Sequence, residues 1–228
     1  MVLSMTDFES AREAMVERQL RRRGISEQSI LDAFLAVPRE AFVDPDYAAD
    51  AYGDHPLPIG AGQTISQPYI VALMIQAAQI APGDTVLEVG AGSGYAAAVI
   101  SRIAGKIIAV ERQPDLVVAA RERLTRLRFD NVIIVEGDGT IGWPEAAPYD
   151  AILAAASGSH VPRSLIAQLA GGGRIVMPLG DAGASQQLVK VSKAPDGTLI
   201  QQDLCAVRFV PLIGEEGWDE GRGGSAEV

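Results

Sequence analysis

The sequence predicts an α/β protein built on a mostly parallel sheet with helices on both faces. Short apolar segments alternate with helical segments between residues 85 and 178, which is typical of parallel strands joined by helical crossovers. The first apolar segment ends in a glycine-rich turn, where such sheets bring a ligand close to the backbone. We expect helices before the sheet and an antiparallel hairpin after it.

The strands are predicted from short apolar segments that are bounded by Gly, Pro or charged residues. They lie at Thr85–Val89, Lys106–Glu111, Val132–Glu136, Ala151–Ala155 and Arg174–Pro178. The helical segments between them are Tyr95–Ile103, Pro114–Leu127 and Pro162–Leu169. The terminal hairpin is predicted from Gln187–Ser192 and Leu199–Phe209, which flank the turn Pro195–Gly197.

Two helices and an irregular segment are predicted before the sheet. Thr6 and Glu9 have the spacing of a capping box at the start of the first helix, which is expected to end at Gly24. Ser26 is the predicted N-cap of the second helix. From residue 42 to residue 67 the periodicity is lost, and such a long irregular segment inside a compact domain favours a functional loop.

The chain is expected to form one compact domain with three parts. Residues 1–80 would supply the first helices and the loop, and residues 81–216 the sheet with its hairpin. Residues 217–228 are rich in Gly and Glu and are expected to be a disordered tail.

Charge and cysteine content narrow the cellular setting. The net charge of −10 disfavours nucleic acid as a partner, because proteins that bind it are usually basic. The single cysteine, Cys205, rules out an internal disulfide and suits a reducing compartment. No apolar run reaches the roughly 18 residues of a membrane-spanning helix, and the N-terminus lacks the pattern of a secretory signal. We therefore expect a cytoplasmic protein without nucleic-acid or membrane partners.

Acidic residues surround the glycine-rich turn at the predicted carboxyl edge of the sheet, where ligands bind in open α/β folds. Glu88 lies two residues before the turn Gly90–Gly94, whose third glycine comes one residue too early for a dinucleotide fingerprint. Glu111 and Asp138 follow at the ends of the next two strands. Glu88 would repel a pyrophosphate, and the three acids together favour a nucleoside that carries positive charge. S-adenosylmethionine, with a sulfonium and an ammonium group, fits this description.

This arrangement resembles the Rossmann-like class I methyltransferases, which use S-adenosylmethionine. The glycine motif, the acid Glu111 and the segment Tyr149–Leu153 carry the resemblance. It implies the cofactor and leaves the substrate open.

A second resemblance, to the protein-L-isoaspartate O-methyltransferases, extends over nearly the whole chain. The matching segments, in the order of the family, are Val37–Val43, Asp54–Pro68, Gly137–Gly139 and Ala206–Leu212. The resemblance implies methyl transfer to the carboxylate of L-isoaspartyl residues in damaged proteins and peptides, by a monomeric enzyme. The chain departs from the family at Ala154–His160, where a Thr-Ala-Ala-Pro type of turn is common.

The family also implies roles for individual residues. Ser66 would be the active-site hydroxyl beside the isoaspartyl carboxylate. The residues that would contact the substrate are Gln63, Thr64, Val207, Arg208 and Phe209. The residues that would contact the cofactor are Thr64, Ile65, Ser66, Glu88, Gly90, Gly92, Gly94, Glu111, Asp138 and Gly139. Among these, Glu111 would hold the ribose, and Asp138 with Gly139 the adenine.

The chemistry agrees with this reading. A free carboxylate has a pKa of about 4, so at neutral pH it is already the nucleophile and needs no general base. The chain offers only two histidines, His55 and His160, and no metal-ligand spacing. Three alternatives remain: a class I methyltransferase for another small-molecule carboxylate or protein substrate, a non-catalytic S-adenosylmethionine-binding module, and an NAD-dependent oxidoreductase.

Overall fold

The computed structural model describes residues 5–220 and has the predicted α/β architecture. Its strands are β1 (Leu57–Gly60), β2 (Gln63–Ile65), β3 (Thr85–Val89), β4 (Lys106–Glu111), β5 (Val132–Glu136), β6 (Tyr149–Ala154), β7 (Leu169–Leu179), β8 (Gln186–Lys193) and β9 (Leu199–Val207). Its α-helices are α1 (Met5–Met15), α2 (Gln28–Ala36), α3 (Pro68–Ala78), α4 (Tyr95–Ile100), α5 (Pro114–Arg126) and α6 (Arg163–Gln168). Short 3-10 segments lie at Arg21–Arg23, Arg39–Phe42, Pro45–Asp50, Gly139–Ile141 and Pro144–Ala146, and a π-helical turn at Val16–Leu20.

Seven strands form one sheet in the order β5-β4-β3-β6-β7-β8-β9. The strands from β5 to β7 are parallel, whereas β8 and β9 are antiparallel and form the predicted terminal hairpin. The central strand β3 is apolar on both faces, with Val86 and Leu87 fully buried, as expected for a parallel sheet covered by helices. The parallel order places the carboxyl ends of β3, β4, β5 and β6 along one edge.

The predicted strand boundaries hold for β3, β4 and β5 and fail further along the sheet. Strand β7 begins at Leu169, five residues before the predicted start, and Leu169 pairs with Tyr149 of β6. Regular pairing with β6 resumes at Arg174, so the triple glycine Gly171–Gly173 lies within an irregularity of the ladder. Helix α4 ends at Ile100, three residues earlier than predicted.

The start of the chain differs from its prediction in detail. Helix α1 already includes Met5, so Thr6 is not an N-cap, and the capping-box prediction was wrong. The helical path continues through the π-helical and 3-10 turns and ends at Gly24 as predicted, with φ of 93°. The N-cap of α2 is Glu27, while the backbone N–H of Ser26 donates instead to Gln76 Oε1 at 3.1 Å.

The beginning of the predicted tail is folded. The backbone N–H of Trp218 donates to the Leu212 carbonyl at 2.8 Å, and its indole N–H donates to the Ser157 carbonyl at 3.0 Å. The prediction of disorder was therefore wrong for residues 217–220, and the rest of the tail lies outside the described residues.

The N-terminal helices pack against the sheet domain through aromatic side chains. The ring of Tyr95, at the start of α4, meets Phe34 of α2 edge-on at 6.1 Å and Phe42 at 5.5 Å between centroids. All three side chains are almost fully buried, so the segment that precedes the sheet shares a core with the helix that follows the glycine turn. Among the described residues, no helix is long and apolar enough to cross a membrane.

Candidate active site

The glycine turn connects β3 to α4 and takes a conformation that side chains disfavour. Gly90, Gly92 and Gly94 have φ values of 85°, 53° and 84°, all in the left-handed region. A Cβ on Gly92 would lie 3.1 Å from Cδ1 of Ile59, because the β1–β2 hairpin covers the turn. The glycines thus allow the backbone to approach both the hairpin and a ligand.

A cavity lies between this turn and the segment that follows β2. One side, the sheet-side wall, contains Glu88, Gly90 and Gly92. The other side, the loop-side wall, contains Thr64, Ile65 and Ser66. The structure therefore brings together two groups of predicted site residues that lie more than 20 positions apart in the sequence.

Glu88 is a buried carboxylate without a matching cation. Its side chain is 2% exposed, and Oε2 has no hydrogen-bond partner among the described residues. Burial, together with the nearby Glu111 carboxylate, raises the pKa of Glu88 to about 8. Glu88 therefore keeps its proton at neutral pH without a ligand, and a cationic ligand in the cavity would favour its ionised form.

Glu111, at the end of β4, holds the glycine turn in place. Its Oε2 accepts a hydrogen bond from the Gly92 N–H at 2.8 Å, and its Oε1 accepts one from the Gln113 N–H at 2.9 Å. The side chain is 6% exposed. Each carboxylate oxygen keeps a second lone pair, so Glu111 can also accept from vicinal hydroxyls.

Asp138 is engaged more fully than the sequence suggests. Its Oδ1 accepts from the backbone N–H and the hydroxyl of Thr140 at 2.8 and 2.7 Å, and its Oδ2 accepts from the Glu215 N–H at 2.8 Å. Asp138 lies at the same sheet edge as Glu88 but does not line the cavity. The adjacent Gly139 fits tightly, because a Cβ there would lie 2.5 Å from Cγ1 of Val89.

The remaining predicted substrate residues lie away from the cavity. Gln63, in β2, donates its side-chain amide to the Ala61 carbonyl at 3.3 Å. Val207 ends β9, the edge strand four positions from β3, and the exposed Arg208 follows it. The Phe209 backbone N–H donates to Gln186 Oε1 at 2.8 Å. None of these residues lines the cavity.

Ser66 is half-buried between β2 and α3 and lines the cavity. Its carbonyl oxygen accepts a hydrogen bond from Arg39 Nη2 at 2.8 Å. Sequence reasoning placed Arg39 only within a matching segment and gave it no role. Tyr95 and Ala155 also line the cavity and were missed, since neither has a polar pattern that would mark it.

Neither histidine takes part in the cavity. His55 Nδ1 lies 3.1 Å from the Pro56 carbonyl, and His160 Nδ1 lies 3.0 Å from the Ser159 hydroxyl. Within residues 5–220, no group of three His, Cys, Asp or Glu side chains is arranged to hold a metal ion. The site therefore provides one buried carboxylate, a hydroxyl and a backbone turn, a set that can bind and align reactants.

The mostly parallel sheet, its glycine turn after β3 and the acid Glu111 at the end of β4 place the protein in the class of Rossmann-like, S-adenosylmethionine-dependent methyltransferases. Residues 10–217 match the model of the protein-L-isoaspartate(D-aspartate) O-methyltransferase family. A protein-L-isoaspartate O-methyltransferase of Pelobacter propionicus is 51% identical over 215 residues, covering 94% of this chain and 96% of that protein. One of Methylorubrum extorquens is 54% identical over 207 residues, covering 91% and 90%. The chain belongs to this family.

Solved structures agree with the assignment. A protein-L-isoaspartate O-methyltransferase structure superposes with a TM-score of 0.81 at 32% identity, covering 90% of this chain and 66% of that one. A Plasmodium falciparum protein assigned to the same activity, solved in complex with S-adenosyl-L-homocysteine, gives 0.76 at 27% identity, covering 89% and 98%.

Proposed function

We propose that this chain transfers a methyl group from S-adenosylmethionine to the carboxylate of L-isoaspartyl residues in damaged proteins and peptides. The observation that carries the proposal is the cavity, in which the unpaired Glu88 and the glycine turn face Ser66 across a shared space. Family membership supports the same activity. When bound, S-adenosylmethionine supplies an electrophilic methyl group on a sulfonium.

The proposed roles of the residues differ between the two walls. On the sheet-side wall, Gly90 and Gly92 give close backbone approach to the methionine part, and Glu88 faces its cationic groups. Beyond this wall, Gly94 completes the turn, and Glu111, at the end of β4, accepts from the ribose. Asp138 and Gly139 hold the adenine with the acceptor capacity that Thr140 and Glu215 leave free. On the loop-side wall, Thr64 and Ile65 line the junction between substrate and cofactor, and Ser66 orients the carboxylate.

Alignment is the main contribution of the protein. The isoaspartyl carboxylate is ionised at neutral pH and needs no base, which agrees with a cavity that neither histidine lines. Holding two reactants in line can lower the barrier by about 7–11 kcal/mol. A strong hydrogen bond would weaken the nucleophile, so Ser66 acts by direction more than by polarisation. Gln63, Val207, Arg208 and Phe209 contact the polypeptide around the reacting residue.

The product explains why such a reaction repairs proteins. A methyl ester has a better leaving group than a carboxylate, so the following backbone N–H can close a succinimide and release methanol. Hydrolysis of the ring returns some of the residue to normal aspartate. The enzyme therefore initiates repair without breaking a peptide bond.

The oligomeric state, the partners, the cellular location and the domain organisation are part of the same proposal. The family resemblance implies a monomer that acts on polypeptides. The net charge of −10 disfavours nucleic acid as a partner, and no described helix is long and apolar enough to cross a membrane. A single cysteine supports a cytoplasmic location. The shared aromatic core at Tyr95 supports a single compact domain in which residues 1–80 and 81–216 fold together.

The test is methyl transfer from radiolabelled S-adenosylmethionine to a synthetic isoaspartyl peptide, with the aspartyl peptide of the same sequence as control. We expect base-labile label on the isoaspartyl peptide alone. Label on neither peptide, with cofactor binding intact, would overturn the proposal and leave a methyltransferase for another substrate or a binding module.

A further inference from the structure

A fully buried arginine lies beneath the loop-side wall. Arg39 is 0% exposed, and its guanidinium forms no ion pair with any carboxylate in residues 5–220. Burial lowers its pKa, as expected for a cation removed from water. Since an unpaired buried charge is costly, the contacts that it makes instead need an explanation.

Those contacts join the two ends of the segment from residue 51 to residue 66. Arg39 Nε donates to the Ala51 carbonyl at 2.7 Å, and Nη2 donates to the Ser66 carbonyl at 2.8 Å. Residues 51–66 contain the β1–β2 hairpin and all of the loop-side wall. One planar guanidinium thus closes this segment at its base, which a flexible ammonium group cannot do with the same geometry.

The same side chain reaches toward the cofactor turn. The guanidinium carbon of Arg39 lies 4.7 Å from the ring centroid of Tyr95, the first residue of α4, which also lines the cavity. Burial raises the pKa of Tyr95 to about 12, so its ring stays neutral beside the cation. Arg39 therefore connects the backbone of Ser66 to the element that carries the glycine turn.

We propose that Arg39 is a positioning residue, which fixes the backbone of Ser66 relative to the glycine turn and so aligns the substrate carboxylate with the methyl donor. This inference rests on the proposed function for its kinetic consequence. The Arg39 side chain touches neither reactant, because Arg39 does not line the cavity. Its effect is on alignment, and a displacement of about 1 Å at a reacting centre can reduce the rate roughly 100-fold.

The test compares Arg39→Lys with Arg174→Lys. Arg174 lies in β7 and serves as the control, because it bonds to the backbone at the C-terminal end of α3. Arg174 Nε donates to the Ala78 carbonyl at 2.7 Å, so it also bonds the backbone beside α3 but lies far from Ser66. We expect Arg39→Lys to lower kcat by about 30-fold or more, with the affinity for S-adenosyl-L-homocysteine changed less than about threefold. Arg174→Lys should lower the melting temperature and leave kcat nearly unchanged.

A second readout does not depend on activity. Hydrogen exchange of the backbone amides from residue 57 to residue 67 should be about tenfold faster in Arg39→Lys than in wild type, and unchanged in Arg174→Lys. Equal losses of kcat in both variants, or unchanged exchange of the loop in Arg39→Lys, would overturn the inference. If wild type methylates no isoaspartyl peptide, the proposed function fails, and the exchange measurement alone decides the role of Arg39.

Discussion

The sheet-side wall of the cavity is fixed by backbone pairing within the large sheet. In the loop-side wall, Thr64 and Ile65 pair only with β1, and Ser66, beyond the end of β2, is held by a side chain that bonds to its backbone carbonyl. On the sheet side, the Gly90 N–H donates to the Val110 carbonyl at 2.9 Å, which continues the parallel ladder into the turn. On the loop side, Ser66 is held by Arg39. A backbone ladder tolerates changes of individual side chains. We therefore expect substitutions on the sheet side to change the affinity for the cofactor, and substitutions on the loop side to change the turnover rate.

The largest effect should follow from Glu111→Gln. The carboxylate anchors the turn through Gly92 and is the proposed ribose acceptor, so the change weakens charge-assisted hydrogen bonds on both sides. We expect affinity for S-adenosylmethionine to fall by roughly 100-fold, since each such bond contributes about 1.5–3 kcal/mol. Isothermal titration calorimetry measures it, with the exposed Glu122→Gln as control. Unchanged affinity would remove Glu111 from the cofactor site.

Ser66→Ala should affect the opposite wall. Loss of one hydroxyl that orients a charged carboxylate is expected to reduce kcat/KM for the isoaspartyl peptide by about 10-fold or more. Cofactor affinity should stay close to that of wild type. Steady-state kinetics and calorimetry on the same preparation separate the two quantities, and a loss confined to cofactor binding would contradict the division between walls.

Much of the sheet side of the site could be predicted from the sequence. Strands β3 to β5 matched their predicted boundaries, because each is a short apolar run bounded by breakers. Most of β3 and β4 is buried, whereas the edge strand β5 leaves Ile133 exposed. Their acids could be assigned to one edge, since parallel strands end together. The loop-side wall could not be built in this way. The grouping of Thr64, Ile65 and Ser66 came from family resemblance.

Long-range contacts explain what the sequence missed. Nothing near Arg39 indicates that its side chain crosses to Ala51 and Ser66, because those carbonyls are brought close only by the fold. The engagement of Asp138 by the Glu215 N–H joins residues 77 positions apart. The ordered Trp218 was missed for the same reason, since composition alone favoured a disordered tail.

A change at Glu88 should alter the pH dependence of stability. With a pKa raised from 4.5 to about 8, the folded protein keeps a proton on Glu88 that the unfolded chain has already lost in this range. Stability without cofactor should therefore fall as pH rises from about 5 to 8, with a contribution of at most about 1.4 kcal/mol per pH unit. Glu88→Gln should flatten that fall. Urea denaturation at pH 6, 7 and 8 measures it, and parallel curves for the two proteins would contradict the prediction.

The smallest effect is expected from the hairpin turn. Gly62 has φ of 68°, and a Cβ added there would meet no atom within 4 Å, so Gly62→Ala adds backbone strain without a steric contact. We expect a loss of about 1 kcal/mol in unfolding free energy. Gly171→Ala, at an open position outside the left-handed region, serves as control and should not show this strain. Thermal unfolding of both variants gives the comparison.

The most direct test of the account is a competition in one reaction, with isoaspartyl and aspartyl peptides of the same sequence distinguished by an isotope label. Mass spectrometry follows both peptides with unlabelled S-adenosylmethionine. We expect one added methyl group on the isoaspartyl peptide, located at the isoaspartyl residue, followed by loss of methanol as the succinimide forms. Equal methylation of both peptides, or a methyl group on any other residue, would contradict the central claim that this cavity selects and aligns the isoaspartyl carboxylate.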